Sequence, residues 1–313
     1  MSVVGSLGLI ILGTVAIVWG AETFAEHLAD ASKRLGVTAF ALAVLLAGAE
    51  PEELATVVTA SARGVDGVAF GDVIGANAAI VTIALGTGAF ITVLPFGRSI
   101  RRSALGGLAA GTLAAALFWD GNVSRIEGVV LVAAYVAFVA TIWLLERRPP
   151  SLGEAGELDE EVDPAGRVGR DLGYVIAGLI ALTTGSILLV EGVRRLTDVE
   201  ATQTRLGLTI IGFATAFELV VLAFSASRHG ISEAVVAGVI GSYAYNMTMS
   251  LGVGAVVAPI GISDATLLHA PTVAMLVLLG VAILLALRDD TLGRRESIVL
   301  FLLYPAFLVV ASI

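Results

Sequence analysis

Glu53 and Glu218 each stand well inside an apolar run of this 313-residue chain. An ionised carboxylate at the centre of a membrane helix costs roughly 2.5–3.5 kcal/mol even on insertion-based scales. Helix-weakening residues precede both: Gly48 and Pro51 before Glu53, and Gly207, Thr209, Gly212 and Thr215 before Glu218. Proline removes a backbone donor and frees a carbonyl one turn earlier, and glycine lets the chain leave helical angles. Freed carbonyls are tolerated at membrane depth where they line a cavity or bind something. Each acid therefore sits beside ready-made neutral oxygen ligands. Two carboxylates brought together repel unless protonated or bridged by a cation. A divalent ion matches their joint charge, and calcium takes six to eight oxygens at about 2.3–2.6 Å.

The elements that must position these acids are membrane helices. The chain is 57% hydrophobic and 14% charged, against roughly 25% charged in a soluble domain. Ten apolar runs are long enough to approach the roughly 20 residues of a span: 3–20, 37–60, 68–92, 103–119, 126–145, 172–192, 206–227, 234–259, 267–287 and 296–312. The first run has no charged lead and no cleavage signal, which predicts a retained helix. It continues into the amphipathic stretch 21–36, expected to prolong that helix beyond the hydrocarbon. The net charge of −9 argues against nucleic-acid binding, and the absence of cysteine rules out disulfides, thiolate metal sites and cysteine nucleophiles.

Glu146–Asp171 is the long polar stretch, with Pro149, Pro150, Pro164 and an acidic cluster from Glu154 to Asp163. It is expected to be a solvated cytoplasmic linker (146–171) between a first half, 1–145, and a second, 172–313. With both termini outside, thirteen basic residues fall inside and five (Arg63, Arg125, Arg194, Arg195, Arg205) outside. That is the topology favoured by the positive-inside rule.

The halves repeat each other. RLGVTAFALAVLLAGAEPEELATVV (34–58) is answered by RLGLTIIGFATAFELVVLA (205–223), and DVIGANAAIVTIALGTG (72–88) by GVIGSYAYNMTMSLGVG (238–254). Glu53 to Glu218 is an offset of 165, and Gly75 to Gly241 and Gly88 to Gly254 are both 166. Five spans per half predict opposite polarity in the membrane, an inverted repeat of the kind that builds transporters with a midplane site. The small residues Gly71, Gly75, Ala78, Gly238, Gly241 and Ala244 read as helix-packing positions.

These segments resemble the two alpha repeats of the sodium/calcium exchanger family, within the calcium/cation antiporter superfamily. That family carries G-T-S-x-P-E-L on one helix and G-S-N-I-x-N/D on the next, repeated once inverted. The likeness spans essentially the whole chain and implies an all-α membrane protein of ten helices in two inverted five-helix repeats. It implies that Glu53 and Glu218 bind calcium, with the serine positions falling on Glu50 and Thr215. The carbonyl-donating positions fall on Ala49 and Ala214, with Leu46 and Ile211 one turn earlier; Ser242 and Asn246 match the second segment. Asn77 reads, by the same resemblance, as a helix-packing hydrogen-bonder. Departures stand at Ala76, Ile80, Tyr243, Glu52 and Phe217. The site has thus lost an amide at Ile80 and gained a carboxylate at Glu50, which shares a helical face with Glu53 three residues on. Glu52 is expected to point away from that face.

The implied function is secondary antiport of Ca2+ for Na+ in the bilayer of the inner (cytoplasmic) membrane, with no cofactor beyond the transported ions. The extra acid keeps H+-coupled exchange of Ca2+ or another divalent ion open, beside a channel and a non-transporting homologue. An enzyme is disfavoured: His27, His229 and His269 have no H-E-x-x-H spacing, and G-x-S-x-G is absent.

Overall fold

The computed structural model describes residues 3–34, 50–146, 168–228 and 232–313. Leu46, Gly48, Ala49, His229 and most of the linker lie outside these, as do Arg147, Arg148 and Arg167. Among the described residues the chain forms ten helices: α1 (Val3–Arg34), α2 (Pro51–Ala62), α3 (Asp66–Ile91), α4 (Arg98–Leu117), α5 (Arg125–Glu146), α6 (Val168–Leu196), α7 (Glu200–Arg228), α8 (Ser232–Tyr245 continuing through Asn246–Ser250 to Leu251–Val257), α9 (Thr266–Ala286) and α10 (Arg294–Ser312). Seven of them, all but α2, α4 and α8, are long and apolar enough to cross a membrane. Helix α1 runs unbroken to Arg34, the prolongation expected from its amphipathic tail.

Three of the helices contain a π turn. Those of α3 (Ile80–Ala84) and α8 (Asn246–Ser250) lie 166 positions apart, the offset of the sequence repeat. At each, a threonine gives its hydroxyl hydrogen to the carbonyl four residues back: Thr82 to Ala78 and Thr248 to Ala244, both at 2.5 Å. The third, Gly207–Ile211 in α7, immediately precedes the segment that carries Thr215 and Glu218. Such bulges widen a helix locally and frequently mark functional sites. Two short antiparallel ladders close the ends of the bundle: β1 (Leu94–Pro95) with β4 (Thr291–Leu292), and β2 (Asn122–Val123) with β3 (Ile260–Gly261). Each pairs a connection of the first half with one of the second.

The start of α1 and the end of α10 lie at the same end of the bundle. There the Arg205 guanidinium donates to the Ile313 carbonyl (2.6 Å), the Ser263 amide to Glu200 (2.7 Å) and the Gly261 amide to Asp66 (3.0 Å). A Cβ built on Gly192, near the end of α6, would stand 2.9 Å from the carbonyl of Ser6, near the start of α1. At the opposite end Arg101 pairs with Asp290 (3.3 Å), and the Arg294 guanidinium lies 4.5 Å over the Phe90 ring.

Glycines set how closely the helices cross. Helices α1 and α6 pack along each other through Gly13 against Gly185 and Gly20 against Gly178; at each a Cβ would lie under 3.0 Å from the partner backbone. Helix α3 crosses α7 at Gly71, Gly75, Gly207 and Gly212, and is buried along nearly its whole length. This bears out the packing role expected of Gly71 and Gly75. A Cβ on Gly71 would stand 2.6 Å from the Thr204 carbonyl oxygen and 2.7 Å from Gly207 Cα. Gly71→Leu should therefore lower the melting midpoint of the detergent-solubilised protein, by overpacking worth about 1–3 kcal/mol. Gly8→Leu, with nothing within 4 Å of its Cβ, should not. Identical midpoints for the two variants would refute the close crossing.

Candidate cation-binding site

The site forms where α2 begins. Pro51 occupies the first helical position, where its missing N–H costs nothing. Glu50 before it has φ −105° and ψ 80°, outside helical angles, while its carbonyl already accepts from the Leu54 amide (3.1 Å). Glu50 thus caps α2 rather than sitting on its face three residues from Glu53. The non-helical backbone at Glu50 brings together residues that an ideal helix would spread. Carboxylate oxygens of Glu50, Glu52 and Glu53 all lie within 4.8 Å of one another, and all three side chains are buried. Glu52 accordingly joins the cluster, contrary to the outward direction expected of it on an ideal helix.

Helix α8 faces this cluster. The Ser242 hydroxyl donates to Glu50 Oε1. One turn on, Asn246 donates to Asn77 Oδ1 (3.4 Å), and Asn77 in turn donates to the Tyr243 carbonyl (3.3 Å). Asn77 therefore ties α3 to α8. Asn246 spends its donor on that tie, leaving a buried Oδ1 that accepts no hydrogen bond among the described residues. Among the described residues neither oxygen of the fully buried Glu53 receives a hydrogen from a hydroxyl, amide or backbone donor, and the Glu50 and Glu52 carboxylates lie within 4.8 Å. Tyr135 of α5 and Tyr245 of α8 are buried edge-on to each other at 5.2 Å, within electrostatic range of Glu50.

Helix α7 crosses α3 at the glycines described above. Thr215 is buried and donates to Asp72 of α3 (2.9 Å), with the Ile211 carbonyl at 3.2 Å. Ile211 is buried and Ala214 half-buried, the latter lining an apolar groove with Ile10, Phe213 and Tyr304. Glu218, half-buried, follows Thr215 by three residues on the same face; it does not join the three-carboxylate cluster of α2. Leu46 and Ala49 lie outside the described residues.

Sequence reasoning passed over two contributors. Asp72 stood in plain view in the repeat, but its counterpart at the 166-residue offset is Gly238, so the repeat gave no signal for it. A lone acid within an apolar run was the available clue. Tyr135 lies outside both signature segments, and only the packing of α5 reveals it.

Residues 5–144 and 171–313 match the family described as "Sodium/calcium exchanger protein". The chain belongs to that family. Relatives include CaxA of Alkalimonas amylolytica, 24% identical over 96% of this chain and 95% of that protein. Another is the sodium/calcium exchanger MaX1 of Methanosarcina acetivorans, 22% identical over 96% and 97%. The fold matches that of the sodium-calcium exchanger NCX_Mj with a TM-score of 0.65, at 21% identity and over 99% of each chain. The chain is thus a multi-pass membrane protein of an exchanger family, which supports cation antiport over enzymatic chemistry.

Three carboxylates this close repel by about 3.5 kcal/mol per pair at an effective dielectric near 20, so a bound cation is strongly favoured wherever they are ionised. Ca2+ at about 100 times its Kd should stabilise the folded protein by about 2.7 kcal/mol, read as a raised melting midpoint in detergent. Glu53→Gln should erase that shift and Ser242→Ala should reduce it. An undiminished shift in Glu53→Gln would take that carboxyl out of the site.

Proposed function

We propose that the chain is a secondary antiporter that exchanges Ca2+ for Na+ across the membrane, with Glu53 and Glu218 as its paired acidic ligands. The observation that carries this reading is the buried Glu50–Glu52–Glu53 cluster, met by Ser242 from a helix broken by a π turn, in a chain of the exchanger family. Thr215, Ser242 and Asn246 complete the shell as neutral oxygens, with Glu50 as an added carboxylate and the carbonyls of Leu46, Ala49, Ile211 and Ala214 as backbone donors of electron density. Such a mixed set suits calcium, which tolerates irregular shells of six to eight oxygens.

The two halves act as inverted five-helix repeats. In support, the π turns of α3 and α8 recur at the 166-residue offset, and the paired strands join a connection of one half to one of the other. Access alternates as α1 and α6, locked together by their reciprocal glycines, slide across the core. Both termini face outward, because the opposite end of the bundle bears more of the arginines. The membrane is the inner, cytoplasmic one.

A second reading, exchange of Ca2+ or another divalent ion for H+, is favoured by the surplus of carboxyls: Glu50 and Glu52 stand beside Glu53 where the family pattern carries serine and proline. Proteoliposome flux separates the two. Ca2+ uptake should follow an outward Na+ gradient on the first reading and an outward H+ gradient on the second. Glu53→Gln and Glu218→Gln should each abolish it. Uptake retained in both variants would defeat the assignment, and no uptake under any gradient would mark a homologue that does not transport.

A further inference from the structure

Threonines inside a helix ordinarily give their hydroxyl hydrogen to the carbonyl four residues back. In this chain Thr82, Thr248 and Thr209 do so at 2.5, 2.5 and 2.7 Å. Thr215 does not follow them. Its hydroxyl is 2.9 Å from Asp72 Oδ1, while the Ile211 carbonyl stands at 3.2 Å and that of Gly212 at 3.4 Å. A hydroxyl has one hydrogen to give, and a bond to a carboxylate is stronger than one to a neutral carbonyl. The hydrogen therefore goes across the α3–α7 crossing to Asp72. The Ile211 carbonyl is released from the competition, and the lone pairs of Thr215 are left to another partner.

Asp72 is fully buried, and its second oxygen, Oδ2, accepts no hydrogen bond among the described residues. Its carboxyl also acts electrostatically on Glu53, so its charge reaches the cluster on α2. Glu50 and Thr215 are equivalent in the two repeats. Where the first repeat has a carboxyl, the facing α8 offers the Ser242 hydroxyl; where the second has a hydroxyl, the facing α3 offers the Asp72 carboxyl. Each crossing thus holds one acid and one hydroxyl, with the donor and acceptor sides exchanged.

We propose that Asp72 is a positioning residue of the cation site, taking the Thr215 hydrogen so that the Thr215 hydroxyl oxygen and the Ile211 carbonyl face the ion. The assignment rests on the cation site proposed above and adds to it a residue outside both signature segments. A partner that orients a ligand in this way typically governs affinity by one to two orders of magnitude.

The test uses the full chain, with Ca2+ as probe, read both as the Ca2+-induced shift of melting midpoint in detergent and as Ca2+ flux in proteoliposomes. Asp72→Ala and Thr215→Val should each weaken Ca2+ about tenfold, raising KM more than they lower Vmax. Thr215→Ser, which keeps the donor, should recover most of the affinity, and Asp72→Asn, which keeps only a neutral carbonyl acceptor, part of it. The double variant Asp72→Ala/Thr215→Val should be no worse than the poorer single one, since both remove the same bond. Multiplying defects, or an Asp72→Asn as weak as Asp72→Ala, would overturn the positioning role. Should Asp72→Ala not fold, Asp72→Asn against Asp72→Leu, each with Thr215 and with Thr215→Val, decides it: an Asn–Leu difference that disappears in Thr215→Val supports the role, and one that persists there, or none with Thr215, overturns it. Failure of the exchange reading itself looks different: wild type moves no Ca2+, yet the melting shifts still rank the variants.

Discussion

The structure depends on the burial of carboxyls among helical segments that contain no basic side chain. Between residues 51–62, 66–91, 206–227 and 232–257 there is no lysine, arginine or histidine. Glu50, Glu52, Glu53 and Asp72 are nonetheless almost wholly buried there, with Glu218 half-buried. Any compensation drawn from these segments must therefore come from hydroxyls, amides, backbone dipoles and protons, or from ions that do not belong to the chain. The polar residues of α3, α7 and α8 are disposed accordingly: Ser242 on Glu50, Thr215 on Asp72, and Asn246 with its amide oxygen left over.

Bringing those groups within reach requires helices to approach more closely than ordinary side chains allow. The glycines of α3 and α7 bring two backbones nearly into contact at the level of Gly71 and Gly207, and that proximity lets Asp72 reach Thr215. The π turns add what straight helices lack. That of Asn246–Ser250 begins at the asparagine whose oxygen is left over, and that of Gly207–Ile211 ends at the residue whose carbonyl Thr215 releases. Small residues and helix defects are therefore one device here, both serving to expose oxygen atoms at depth.

Much of this was legible because repetition and cost are properties of sequence. The 165–166 offset pointed to two like halves and reappears in the spacing of the π turns; the rarity of acids in apolar runs singled out Glu53 and Glu218. What escaped depends on local backbone geometry or on partners distant in the chain. Glu52 was misdirected because an ideal helix was assumed through Glu50, where the backbone is not helical. Asp72 and Tyr135 act through contacts 143 residues away in the first case and across a helix interface in the second, and neither leaves a periodic trace. The strand pairs, two residues each, are too short for any pattern to announce.

Equivalence in sequence does not make the two proposed ligand acids equivalent in physics. Glu53 lies in the first turn of α2, beside the positive end of the helix dipole. An anion there gains typically 0.3–1 kcal/mol, and about 2 at most. Repulsion from each neighbouring carboxylate, about 3.5 kcal/mol per pair at this spacing, exceeds that gain, so the dipole alone does not hold the cluster ionised. Glu218 sits mid-helix, seven residues into Gly212–Arg228, away from a helix terminus, and does not belong to the three-carboxylate group. The first-half acids are therefore crowded and partly compensated by a helix terminus, and the second-half acid stands outside their cluster. An ion shared between them would be drawn toward the side with the greater negative charge, and Asp72, standing on α3 but bonded to α7, places part of that charge at the crossing between the halves.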